Sequence, residues 1–113
     1  MYEYRATVAS IYDADTVRLN VDLGFGIWIH RQRFRLAGID APELGTPEGR
    51  AARDWLRELL PVGTALTAIT VRDSAEKYGR YLAHLYLPDQ PIVSVNQQLI
   101  DAGHAKPYDG GAR

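Results

Sequence analysis

The segment FRLAGIDAPE, from Phe34 to Glu43, places an arginine, an aspartate and a glutamate at the end of a strand-like run. A second acidic pair, Asp13 and Asp15, stands upstream. Downstream, Lys77-Tyr78-Gly79-Arg80 sets another arginine beside a glycine. Carboxylate oxygens are hard, anionic donors suited to a hard cation. A guanidinium stays protonated through any physiological pH and offers a planar fork to two oxygens. Carboxylates for a cation, plus two separate guanidiniums, are what handling a phosphate diester requires.

Each group also has a plainer explanation. Asp13 and Asp15 sit between strands, where aspartate commonly makes turn hydrogen bonds. Asp40-Ala41-Pro42-Glu43 reads alone as a loop with Glu43 near a helix N-terminus, where its charge is favourable. Arg35 shares a strand face with Arg31 and Arg33, and unaided it reads as a solvated charge. Lys77 to Arg80 is by itself an ordinary hairpin connection. Their joint occurrence in one order is what these separate explanations leave unexplained. His30, His84 and His104 show no metal-ligand spacing and read as structural or surface residues. Trp28 and Phe34 alternate on one strand face, and core packing is expected of them over base stacking.

The elements that must position these groups follow from periodicity. Tyr2 to Val8 alternates bulky and polar residues, as a half-buried strand does. Thr16 to Leu23 alternates cleanly, with Val17, Leu19, Val21 and Leu23 on one side. Gly24-Phe25-Gly26 signals a turn, and Ile27 to Leu36 continues as a third strand, completing a meander. The period then changes. Thr46 is the expected N-cap and Pro47 the first helical residue. Ala51, Ala52, Trp55, Leu56, Leu59 and Leu60 recur at helical spacing until Pro61 and Gly63 end the run. Thr64 to Val71 and Tyr81 to Leu87 read as two more strands, separated by the polar stretch from Arg72 to Arg80. A short helix runs from a Ser94 cap through Val95 and Leu99 to Gly103, and the residues through Gly110-Gly111 look frayed. The fold class is therefore β-rich α+β. It is a five-stranded OB-type barrel with a helix between strands three and four and a short C-terminal helix.

The 113 residues suffice for one domain, residues 1–113, with one core. The formal net charge of −1 excludes a broad basic coat for nucleic acid, so attraction to a polyanion must be local and aided by a cation. Only Lys77 and Lys106 are lysines, so particular arginines are weighed by position. Without cysteine there is no disulfide or thiolate chemistry. MYEYRATVAS is polar, and no window approaches a membrane span. As it stands the chain reads as soluble and cytoplasmic, or secreted if an export segment was removed.

DADTVRLNV, FRLAGIDAPE and EKYGRYLAHLY, in that order and spacing, resemble the staphylococcal nuclease (thermonuclease) family over nearly the whole chain. Val95-Asn96, Leu99 and Gly103-His104-Ala105-Lys106 extend the likeness through the family's C-terminal helix. The resemblance implies an OB-fold, calcium-dependent phosphodiesterase cutting DNA and RNA to 5′-hydroxyl and 3′-phosphate products. It implies Asp15, Asp40 and the Ala41 carbonyl as calcium ligands, and Glu43 as the residue that orients or deprotonates water. It implies Arg35 and Arg80 as the phosphate clamp, with Lys77, Tyr78 and Tyr108 beside the substrate. A monomer is expected. The alternatives are a non-catalytic module of the same family, binding nucleic acid or protein, and a binder of small phosphates. Ala14 stands where the family usually has glycine, and Ala41 where it commonly has threonine. The segment after Leu44 is short.

Overall fold

The computed structural model describes residues 2–71 and 81–108. Strands β1 (Tyr2–Asp13), β2 (Thr16–Gly24) and β3 (Ile27–Leu36) form the antiparallel meander. A two-residue strand β4 (Ile39–Asp40) and helix α1 (Pro47–Leu59) follow. Then come β5 (Ala65–Thr70), β6 (Tyr81–Tyr86), helix α2 (Val95–Asp101) and a second two-residue strand, β7 (Lys106–Pro107). The five long strands close into a barrel in the order β1-β2-β3-β6-β5. Closure is antiparallel between β1 and β5 and parallel between β3 and β6. The expected OB-type barrel is present, with α1 between its third and fourth strands.

The alternating sequence fills this barrel as a period of two dictates. Val8, Val17, Leu19, Phe34, Leu36, Ala68 and Leu85 are all buried. Helix α1 adds Ala52 and Leu56, with Trp55 and Leu59 packed at the core's edge. Ala51, expected in that stripe, is exposed. The helix begins as its sequence requires: the Thr46 hydroxyl accepts from the Gly49 N–H at 3.0 Å, and Pro47 fills the first turn.

Two features were not visible in the alternation. β1 runs on from Val8 to Asp13 because bulges between Val8 and Ser10, and between Ile11 and Asp13, offset its pattern. Trp28 is 41% exposed, not in the core with Phe34. A register shift opposite Asn20 explains this. Arg31 there adopts φ +58°, and its N–H donates to Asn20 Oδ1 at 2.9 Å. The extra residue reverses the facing, so Trp28 and Phe34 point to opposite sides of the sheet.

Asn96 ties α2 to the barrel. Its Nδ2 donates to the carbonyls of Ala37 and Ala83 at 2.8 and 3.0 Å, and its Oδ1 accepts from the Leu85 N–H at 3.1 Å. One buried amide thus joins the end of β3, the middle of β6 and α2. Replacing Asn96 with Ala removes the amide's bonds to the Ala37 carbonyl and the Leu85 N–H, while the Ala83 carbonyl keeps the Ala37 N–H, and is expected to lower stability by about 2–3 kcal/mol. Urea unfolding checks this; a loss within experimental error would show that water replaces the amide at no cost.

Candidate functional site

The site forms where β2 begins, β3 ends and β4 follows. Thr16 pairs with Arg35, and Arg35 with Leu82 of β6, so the arginine sits at a junction of three strands. Arg35 is only 4% exposed, unlike Arg31 and Arg33, both exposed, so the plainer reading of it as a solvated charge does not hold. The chain turns sharply after Leu36, through Gly38 at φ +76°, and folds its own backbone over the guanidinium. Arg35 Nη1 donates to the carbonyls of Leu36 and Ile39, each at 3.0 Å. Its Nη2 lies 3.6 Å from both Asp15 Oδ2 and Asp40 Oδ1. That nitrogen is buried and has no hydrogen-bond partner among the described residues.

Asp15 is held from several directions. Its Oδ2 accepts from the Ala41 N–H at 3.2 Å, and its backbone carbonyl accepts from the Leu36 N–H at 2.9 Å. Its own N–H donates to Asp13 Oδ1 at 3.1 Å, the turn bond expected between the strands. Ala14 is buried and is not among the residues with positive φ, so this turn has no need of glycine. The Asp13 carboxyl is pushed up to about 6, chiefly by burial, then by the hydrogen bond and repulsion it shares with Asp15.

The C-terminal segment completes the arrangement. β7 pairs with β4, placing Lys106 beside Asp40, and the Tyr108 N–H donates to the Gly38 carbonyl at 2.8 Å. The Tyr108 ring centroid is 5.7 Å from Arg35 Cζ, within cation–π range. Arg35, Asp15, Asp40, Ala41 and Tyr108, spread over 94 positions of sequence from 15 to 108, therefore converge. Glu43 stands on the loop between β4 and α1 and is exposed. Lys77, Tyr78 and Arg80 lie outside the described residues; the described chain resumes at Tyr81, which pairs with Phe34 next to Arg35.

Sequence reasoning missed Gly49. A Cβ there would run into the backbone of Glu43 and reach 2.9 Å from the Pro42 carbonyl oxygen. The Glu43 carbonyl also accepts from the Thr46 N–H at 3.0 Å and the Thr46 hydroxyl at 2.6 Å. The first turn of α1 is thus seated directly on the Glu43 loop. The available signal was a glycine inside a helix, where its entropic cost calls for a close approach as the reason.

Among the described residues, no three Asp, Glu, His or Cys side chains form a metal-holding cluster. The donors at hand are the Asp15 and Asp40 carboxylates and neighbouring backbone oxygens. Both carboxylates face a single nitrogen, so their near oxygens are separated by at most twice 3.6 Å. Both carboxylates meet the same guanidinium nitrogen, so they stand on one side of it as neighbouring oxygen donors. An all-oxygen donor set of this kind fits a hard divalent cation.

Residues 33–111 match the family model described as staphylococcal nuclease homologue. The chain belongs to the staphylococcal nuclease family. An Escherichia coli protein named an uncharacterized endonuclease is 33% identical over 102 residues, covering 90% of this chain and 60% of that protein. The micrococcal nuclease of Shigella flexneri is 31% identical over 115 residues, covering 94% of this chain and 59% of its own length. A probable staphylococcal-like nuclease of Oryza sativa is 37% identical over 82 residues, 70% of this chain but 20% of the plant protein. The chain thus spans about 60% of the length of these Escherichia coli and Shigella flexneri relatives.

The raised Asp13 carboxyl gives a signed pH effect. Its folded-state value near 6 exceeds its ordinary 3.8, so protonation favours folding. The associated stability is complete below about 4 and is lost as pH rises through about 6. Asp13→Asn keeps an oxygen to accept the Asp15 N–H and removes the charge. Measured in chelator, its melting temperature relative to wild type should be near zero difference at pH 4 and positive at pH 7.5. A difference that does not change with pH would contradict the shared burial of Asp13 and Asp15.

Proposed function

We propose that this chain is a calcium-dependent nuclease that hydrolyses phosphodiester bonds of DNA or RNA to 5′-hydroxyl and 3′-phosphate products. The observation that supports this most is the buried Arg35 guanidinium, anchored through Nη1 while Nη2 keeps unused hydrogen-bonding capacity between two carboxylates. Nuclease names among the relatives, and family membership, support the same reaction class.

Asp15, Asp40 and the Ala41 carbonyl are the proposed calcium ligands. Calcium bound there would offset charge on the diester and gather water beside the phosphorus. Arg35 receives the increased negative charge on the phosphoryl oxygens, with Arg80 as its counterpart by resemblance. Tyr108 lies against the Arg35 guanidinium and limits its movement while standing beside the nucleotide. Glu43 accepts hydrogen from the attacking water and holds it in line. The new phosphorus–oxygen bond forms as the bond to the 5′ oxygen breaks, and that oxygen takes up a proton. By resemblance, Lys77 and Tyr78 flank the terminal phosphate.

The test is cleavage of single- and double-stranded DNA and RNA, with calcium or with chelator, by wild type and Asp40→Asn. Wild type should cut with calcium only, and the Asp40 variant should be nearly inactive. Undiminished cutting in excess chelator would refute calcium dependence. Strand binding without any turnover would favour the non-catalytic alternative.

Arg35→Lys should lower turnover by about 10²–10³, because an ammonium cannot reproduce the fork. Glu43→Gln should reduce turnover with oligonucleotide binding retained. A normal rate in the first variant, or unfolding in the second, would remove the role assigned to that residue.

A further inference from the structure

Helix α1 meets the candidate site at both of its ends. Its first turn is seated on the Glu43 loop through Gly49. Eight residues further on, roughly 12 Å along the axis, Arg57 reaches β1. Its Nη2 and Nε donate to the Ile11 carbonyl at 2.9 and 3.3 Å. That carbonyl belongs to a stretch of β1 with little else to hold it. β5 pairs with β1 only from Tyr2 to Thr7, after which the Val8 backbone bonds to Gly63 and Thr64. From Ala9 to Asp13 the strand has β2 on one side and, among the described residues, no strand on the other. Even the β2 ladder is interrupted here, because Ile11 stands between the two bulges. Arg57 thus supplies a donor where the barrel has run out of strand. The chain then leads directly to Asp13 and Asp15, which the Asp15 N–H ties together.

We infer that Arg57 is a positioning residue for the Asp15 turn. By fixing the Ile11 carbonyl it holds the end of β1, and with it the Asp15 carboxylate that the calcium site uses. Helix α1 is then a strut, with the Glu43 loop at one end and the Asp15 turn at the other. Arg57 is exposed, while its neighbour Leu56 fills the core, so the role lies in the hydrogen bond and not in burial. Charge alone gives the opposite expectation for a cation. Removing a positive charge strengthens the pull on calcium, whereas loss of positioning weakens its binding. The effect on calcium rests on the calcium reading of the site; the anchoring of β1 does not.

The test compares wild type with Arg57→Met, which keeps the aliphatic stem and removes every donor, and with Arg57→Lys, which restores one. In chelator, amide hydrogen exchange is followed in residues 9–15 and, as a reference, in β5. The Met variant should exchange about tenfold faster in residues 9–15, as loss of one hydrogen bond allows, with β5 unchanged. Calorimetric titration with calcium chloride alone should show binding about tenfold weaker in the Met variant. The Lys variant should recover most of both losses. Unchanged exchange in residues 9–15, or equal acceleration in β5, would overturn the anchoring. Calcium binding as tight as wild type or tighter in the Met variant would overturn the positioning role. A Lys variant as impaired as the Met variant would do so too, since the lost donor would not be the cause. If the wild type binds no calcium, the calcium reading fails, and the exchange data alone decide whether Arg57 anchors the turn.

Discussion

A guanidinium shut away from water is the constraint around which the rest of this molecule is arranged. A buried cation is costly unless each side of it is answered. Arg35 is met by two carbonyls of the chain that follows it and by Asp15 and Asp40 at equal distances. Removal of either acid would take away one of its two carboxylate contacts, and removal of the arginine would set two carboxylates against each other. The three residues hold one another in place, and the cost of that arrangement falls partly on Asp13, forced towards its neutral form beside Asp15.

The barrel's topology makes the triad possible. Parallel pairing of β3 with β6 brings the end of one strand against the start of another, so the chain can turn inward at Gly38 without leaving an open edge. Asn96 answers the carbonyl of Ala37 just before that turn. Gly49 lets α1 press against the backbone of Glu43. Neither residue need touch substrate, yet both determine where the acidic loop stands.

Much of this was legible in the sequence because alternation and capping are local. Val17, Leu19 and Val21 declared an inward face, and Thr46 with Pro47 declared a helix start; both occur as written. The convergence of Asp15, Arg35 and Asp40 was suggested by their order and spacing, through the family likeness. What alternation could not carry was anything that breaks it. The bulge at Arg31 reversed the facing of Trp28, and the bulges in β1 hid five residues of strand. The burial of Arg35 was hidden differently: its neighbours two and four positions back are exposed, and only the return of the chain over it makes the difference. Lys77, Tyr78 and Arg80, assigned to the substrate by resemblance alone, fall outside the described residues.

The pairing of β4 with β7 has a temporal meaning. Asp40 emerges from the ribosome long before Lys106 and Pro107, the residues that give its strand a partner. Synthesis therefore yields a chain whose acidic loop must wait, one edge unsupported, until translation has passed Tyr108 and those residues have cleared the exit tunnel.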